Sequence, residues 1–197
     1  MDSRILGERL QVRFDWVGDR YAHCVLVHCG DRSVVVLKSA EGTSQQNWPP
    51  SPPLQQLSFL DLPDNRRAAL LVGMAGQSHW SLSVTSGPDE LVFETACRVN
   101  QRPERLCSEY CEMVARQRQD ANSAGFRLFD GQSELTVSLL HPGGSSQLIT
   151  SGGRTTIACC TGASGRPGTG GTDTDGPTPD RPATMRWDFR IRLTGAD

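Results

Sequence analysis

The feature that most constrains this fold is an alternation of apolar and polar residues that continues across a tight turn. Apolar side chains occupy every second position of one run: Leu10, Val12, Phe14 and Trp16. This period of two is typical of a strand with one buried face. Gly18 and Asp19 follow, and glycine accepts the positive φ that a two-residue hairpin turn needs. A loop of only these two residues predicts four cross-strand pairs: Trp16–Tyr21, Phe14–His23, Val12–Val25 and Leu10–Val27.

Similar patterns predict strands along most of the chain. They lie at 34–37, 68–74, 80–85, 91–99, 126–129, 135–140, 148–150, 155–160 and 185–193. Short strands joined by Gly, Pro and Asp turns, with at most one short helix, predict a mainly β chain. The expected architecture is an antiparallel β-sandwich, with a barrel-like arrangement as the alternative. A chain of 197 residues can bury a substantial core, so we expect a single domain over 1–197.

Two segments interrupt the strand pattern. Residues 39–67 form a long connection whose prolines favour extended, ladder-free backbone, and the leucines that follow predict that it packs on the body of the domain. Residues 161–184 lie in a window rich in Gly, Thr and Pro, with no large aliphatic or aromatic residue between Ile157 and Met185. That composition predicts a flexible or disordered internal loop.

Residues 103–119 allow two interpretations. Leu106, Tyr110 and Met113 have helical spacing, and Arg105 and Glu109 are four residues apart, as in a helical ion pair. The same stretch could also be a strand in an otherwise β protein. The local pattern favours the helix.

A combination of segments resembles a group of uncharacterised hypothetical proteins from planctomycete-type bacteria. The segments are Ile5–Arg9, Glu41–Thr43, Trp48–Gln55, Gly73–Ser81 and Arg186–Trp187. The resemblance covers roughly residues 4–110 and the last strand. It implies a strand around Cys107–Tyr110, against the local pattern, and it implies no assigned activity.

Composition excludes several functions. The net charge is −2, with no block of like charges, so we expect no attraction to nucleic acid or to an anionic membrane. No run of about 18 apolar residues predicts a membrane span. The N-terminus lacks the apolar core of a signal peptide, and the seven cysteines are then expected to be free thiols in the cytoplasm. Neither a P-loop nor a dinucleotide fingerprint is present, so no cofactor is predicted.

Two constellations suggest chemistry. His79, beside serines on one strand, and Glu94 on the returning strand would be the histidine and acid of a hydrolase-like site. A metal-binding protein would use His23, Cys24, His28 and Cys29, or the pair Cys107 and Cys111. On a regular strand, however, His23 and Cys24 point to opposite faces. Cys107 and Cys111 would share a face if their segment is helical, but a zinc site needs two further ligands.

The remaining candidates have ordinary structural explanations. Arg186, Arg190 and Arg192 lie on one face of the last strand, with Asp188 between them, which is typical of a solvated strand face. Of the tryptophans, Trp16, Trp80 and Trp187 are expected in the core, and Trp48 is the one expected to be exposed. The sequence therefore predicts a non-catalytic binding or protein-interaction module whose partner it does not identify. The alternatives are the hydrolase-like enzyme and the metal-binding protein.

Overall fold

The computed structural model describes residues 3–29, 32–63, 66–128, 131–142, 144, 146–159 and 182–195. Within these ranges the chain forms fifteen β-strands and no α-helix. The strands build two antiparallel sheets that are not closed into a barrel. The predicted β-sandwich is therefore confirmed, and the barrel-like alternative is wrong. None of the described residues forms a helix that could cross a membrane.

Sheet I has seven strands, numbered in chain order. Across the sheet they are β1 (Ser3–Gly7), β2 (Leu10–Val17), β3 (Arg20–Cys29), β4 (Arg32–Ser39), β9 (Cys107–Glu112), β14 (Arg154–Cys159) and β13 (Ser146–Ser151). The first four are consecutive in the chain, whereas β9 and β14 arrive from distant segments and complete the sheet.

Sheet II has eight strands. Across the sheet they are β10 (Arg116–Gln119), β11 (Ser123–Arg127), β12 (Glu134–Leu139), β15 (Ala183–Thr194), β8 (Glu90–Val99), β7 (Ser78–Ser86), β6 (Arg67–Ala75) and β5 (Gln56–Asp61). The inner faces of both sheets contribute to one continuous hydrophobic core.

The hairpin of β2 and β3 has the register that the sequence predicts. All four expected pairs are present: Leu10–Val27, Val12–Val25, Phe14–His23 and Trp16–Tyr21. Gly18 in the turn has φ of 68°, which explains the glycine there. Trp16 differs from expectation, because it is 40% exposed at the end of the hairpin and packs edge-on against Tyr21.

The proline-rich part of the 39–67 connection lies in a gap within sheet I. β4 leaves β9 after Ser39, and the connection continues along β9, where the Pro50 carbonyl accepts a hydrogen bond from the Glu109 amide. On the other side the Leu54 carbonyl accepts from the Tyr21 amide. Trp48, expected to be exposed, is buried and belongs to the hydrophobic core. The chain then crosses to sheet II, where the same connection supplies β5.

Residues 103–119 contain two strands and no helix, so the helix that the local pattern favours is wrong. Both β9 and β10 fall in this range, and Met113 between them is exposed rather than packed on a helical face. Arg116 donates a hydrogen bond to Glu112, four residues before it, at 2.9 Å. The chain bends between β9 and β10, which brings the two side chains together. An ion pair between residues four positions apart therefore forms here without a helix.

The predicted 161–184 loop falls almost entirely outside the described residues. Only its last three residues are described, and β15 begins at Ala183. The predicted loop end at residue 184 is therefore too late in the sequence, because Ala183 already pairs with Val99 of β8.

His23 is a polar residue inside the core. Its Nε2 lies 2.8 Å from the Tyr110 hydroxyl, and its ring stacks on Phe93. Nδ1 is buried and has no hydrogen-bond partner among the described groups. Burial lowers the pKa of His23 to about 4, because the charged imidazolium would lose its hydration. Burial also raises the pKa of Tyr110, and the nearby Glu41 carboxyl adds to that shift.

Acidification is expected to weaken the fold through His23. The pKa is lower in the folded state than the ordinary value of 6.5, so the unfolded chain takes up the proton first. The stability that neutral His23 contributes is complete above about pH 6.5 and is lost as the pH falls towards 4. We expect a loss of about 2 kcal/mol between pH 7 and pH 5 from this group.

Urea unfolding at both pH values measures this effect against His23→Phe, which cannot titrate. Burial raises the pKa of Glu41, which acts in the opposite direction but is present in both proteins and cancels. His141→Ala is the matched control, because His141 is exposed and lies beside Asp188. Equal pH dependence in wild type and His23→Phe would show that His23 is not the titrating group.

Candidate binding face

The outer face of sheet II carries a groove with a floor of small residues. In β7 the large side chains Trp80, Leu82 and Val84 point inward and are buried. The intervening serines therefore point outward, because successive side chains of a strand alternate. Ser81 and Ser83 form the floor together with Ala96 of β8, which pairs with Ser81.

One wall of the groove is apolar. Leu70, Val72 and Met74 of β6 are 40%, 47% and 46% exposed. They pair with Ser83, Ser81 and His79 of β7, and paired residues of an antiparallel ladder share a face. Three large apolar side chains therefore stand above small polar ones on a solvent-facing surface.

The opposite wall is charged, and its sign changes along the groove. Arg98 of β8 lies at one end, where it pairs with His79, and Arg186 of β15 lies at the middle level, where it pairs with Ala96. Glu94 of β8 and Asp188 of β15 lie at the other end, directly opposite each other. Asp188 is 3.0 Å from Nδ1 of His141, while Arg98 and Glu94 form no ion pair within the part of the chain that the structure describes.

The groove is continuous and open to solvent. Two adjoining depressions of about 480 and 410 Å³ share Val72, Ser81, Ala96 and Arg186. From the level of His79 to that of Ser83 is four residues of β7, or about 13 Å at ~3.3 Å per residue. The groove therefore has the length of roughly four residues of extended chain.

The other arginines of the last strand belong to a separate ion-pair group. Arg190 and Arg192 both approach Glu90 of β8, at 3.5 and 2.7 Å. Arg186, Arg190 and Arg192 thus share one outer face, as the sequence indicates, but two of them share a carboxylate beyond the acidic end of the groove. Only Arg186 contributes to the groove itself.

The structure does not bring His79 and Glu94 together. His79 pairs with Arg98, and Glu94 pairs with Ser83, four residues further along β7. The two side chains therefore start about 13 Å apart along the sheet, beyond the hydrogen-bond reach that a histidine and its orienting acid require. His79 has a cation as its cross-strand neighbour in place of an acid.

The histidines and cysteines of the metal hypothesis are also separated. His23 points into the core, and Cys24 lies on the other face of β3. His28 is 2.8 Å from the Gln11 amide oxygen and 2.9 Å from the Ser33 hydroxyl, and the side chain of Cys29 lies outside the described residues. Among the described residues no group of three or more His, Cys, Asp or Glu side chains could hold a metal ion.

Cys107 and Cys111 have different surroundings on β9. The Cys107 thiol is buried and donates to the Pro50 carbonyl at 3.3 Å, and burial raises its pKa to about 11. Cys111 is partly exposed between Lys38 of β4 and Arg154 of β14. A thiol held by a carbonyl in a buried site is a structural group, since a metal ligand must be deprotonated.

Comparison with known proteins adds no relative. No protein-family model matches the chain, and no similar curated protein or solved structure was found. The resemblance to planctomycete-type hypothetical proteins therefore stays a prediction. The class of protein is defined by the fold, a two-sheet antiparallel β-sandwich with an amphipathic groove on one outer face.

Sequence reasoning missed this groove, although a signal for it exists. The near-continuous apolar run 68–74 is typical of a strand buried on both faces. The neighbouring strand β7, however, alternates with serines, which predicts a solvent-facing side. Because β6 pairs with β7, every second residue of the apolar run had to share that solvent-facing side.

Proposed function

We propose that this chain is a non-catalytic binding module that holds an extended segment of a partner protein in the groove on sheet II. The apolar wall formed by Leu70, Val72 and Met74 is the observation that supports the proposal. The outward face of an antiparallel sheet in a sandwich is ordinarily polar, and contiguous exposed apolar side chains are typical of interaction sites. Contact of three such side chains with water costs free energy, which a partner covering them would recover.

The charges of the groove specify the chemistry of the partner. A segment lying along β7 would place an acidic side chain near Arg98, with Arg186 one pair further along, and a basic one near Glu94. Between these ends its apolar side chains would contact Val72. Such opposed charges favour one direction of the segment over the reverse, because the reversed segment would bring like charges together.

A peptide selection tests the proposal. A random peptide library displayed on phage is selected on the wild-type protein, and the selected peptides are then measured against Val72→Arg. We expect peptides with an acidic residue, an apolar middle and a basic residue, and we expect Val72→Arg to weaken their binding about tenfold or more. The substituted arginine would remove the centre of the apolar wall and fill the groove.

Ile149→Arg is the matched control. Ile149 is 45% exposed, a fraction similar to the 47% of Val72, but it lies on β13 of sheet I. It should leave peptide binding unchanged. Arg98→Glu should weaken acidic peptides selectively, since it reverses the sign at one end of the groove. Peptides that bind Val72→Arg and wild type equally would place the interaction on another surface and overturn the proposal.

The cytoplasm remains the predicted location of this module. The prediction is supported by the cysteines of the described residues, five of which form no disulfide in this structure.

A further inference from the structure

Cys97 and Cys159 approach each other from facing sheets. Cys97 lies on the inner face of β8 in sheet II and is fully buried, and Cys159 ends β14 in sheet I at 7% exposure. Both belong to the same hydrophobic core. The two thiols are therefore in one water-excluded region, although 62 positions separate them in the sequence.

The two sheets approach each other closely at β14 and β15. Packed sheets are ordinarily about 10 Å apart, yet Cα atoms of β14 and β15 approach within 8 Å. The Cys159 thiol reaches the opposite sheet, where it lies 3.5 Å from the Arg186 carbonyl oxygen. Cys97 is on the adjacent strand, paired with Met185, the residue before Arg186. The Cys159 sulfur thus lies beside the segment of β15 that pairs with Cys97.

We propose that Cys97 and Cys159 form an inter-sheet disulfide when the chain folds in an oxidising environment. A disulfide joins Cα atoms roughly 4.4–6.8 Å apart, and Cys159 already reaches the strand that neighbours Cys97. Neither cysteine belongs to a disulfide in the structure. Bond formation would replace the thiol–carbonyl contact of Cys159 and link the two sheets across the core.

The oxidant is a low-molecular-weight disulfide such as oxidised glutathione. One cysteine, as thiolate, attacks the glutathione disulfide and releases one glutathione thiolate, which takes up a proton. The second cysteine then attacks the mixed disulfide and releases the other glutathione. Both cysteine thiols lose their protons, the Cys97–Cys159 bond forms, and two reduced glutathiones are the products.

The bond is expected to form during folding. Burial raises the pKa of Cys97 to about 12, and the neighbouring Cys159 thiol adds to the shift. The thiolate that attacks a disulfide is therefore scarce once the core has closed. A partly folded chain still exposes both thiols to the oxidant, so we expect the bond to form at that stage.

Refolding in a glutathione redox buffer tests the proposal. The fully reduced, denatured wild-type chain is refolded with reduced and oxidised glutathione, alkylated and digested. Mass spectrometry should find the Cys97 and Cys159 peptides linked, with the loss of two hydrogens. A bridge that closes so long a loop should raise the melting temperature by about 5–15 °C over the chain refolded in reductant.

Serine variants separate this bridge from other thiol chemistry. Cys97→Ser and Cys159→Ser should show no redox-dependent rise in melting temperature, while Cys111→Ser should keep it, because Cys111 lies on β9 outside the pair. Should either core variant fail to fold, peptide mapping of the wild type still decides the question. Fully alkylated Cys97 after oxidative refolding, or a bridge from Cys97 to Cys160 or Cys107, would overturn the proposal.

Discussion

Gly73→Ala is expected to lower the free energy of unfolding by about 3 kcal/mol or more, at the upper end of overpacking substitutions. Gly73 pairs with Trp80, so an added Cβ would point to the inner side of β6. There it would collide with the Pro53 carbonyl of the proline-rich connection. That backbone cannot move aside easily, because the next two residues are bonded on both sides. The Leu54 carbonyl accepts from Tyr21 at 2.7 Å, and the Gln55 amide donates to Val72 at 2.8 Å.

Urea unfolding measures the loss, and amide hydrogen exchange locates it. In Gly73→Ala the amides of Tyr21 and Gln55 should exchange faster, since their acceptors belong to the displaced connection and its neighbour strand. Gly87→Ala is the matched control, because the nearest atom to its added Cβ would be 3.7 Å away, an ordinary contact. Similar losses in both variants would mean that close approach of Pro53 does not limit position 73.

Trp187→Ala is expected to cost about 3–5 kcal/mol of stability, the range for removing a large buried aromatic side chain. Trp187 on β15 is 1% exposed and meets the Trp80 ring edge-on at a centroid distance of 5.9 Å. Its indole nitrogen also donates to the hydroxyl of Ser108 on β9, at 3.0 Å. The side chain therefore fills the core and bonds the two sheets to each other.

A double-mutant cycle separates the two contributions. Trp187→Phe keeps most of the apolar contact and loses the donor, while Ser108→Ala leaves the indole donor buried without an acceptor, at a cost of about 1–3 kcal/mol. The double variant should cost less than the sum of the two single variants, because both remove the same hydrogen bond. Additive losses would show that the bond between the sheets contributes little. A loss below about 1 kcal/mol for Trp187→Ala would contradict its role in the core.

Local patterns were sufficient for the hairpins. The register of β2 and β3 follows from the position of Gly18, because a turn of two residues fixes which residues of β3 lie opposite Val12 and Phe14. For β7 and β8 the sequence predicts two strands joined by a short turn, and the structure adds the register, in which Ser86 pairs with Leu91. In both hairpins the paired strands are neighbours in the sequence.

Local patterns were insufficient for β9 and for the tryptophans. Tyr110 fits a helical face as well as a strand, and only the pairing of β9 with β4 and β14 decides between them. Trp16 has the alternation of a core residue but lies at the exposed end of its hairpin, and Trp48 is buried in the core although it lies in the proline-rich connection. Burial of a particular side chain depends on what the rest of the fold places over it.

The sequence by itself determined the class of fold, the two-sided strands and the turns between neighbours, because these depend on the period of two and on residues that accept turn geometry. Tertiary structure alone decided which distant strands meet, as when β15 pairs with β8 and β12. It also decided that Val72 faces solvent opposite Arg186, and that Cys97 and Cys159 lie in one core. Such contacts join residues far apart in the chain, where hydrophobic burial is non-directional and carries no local signal of its partner.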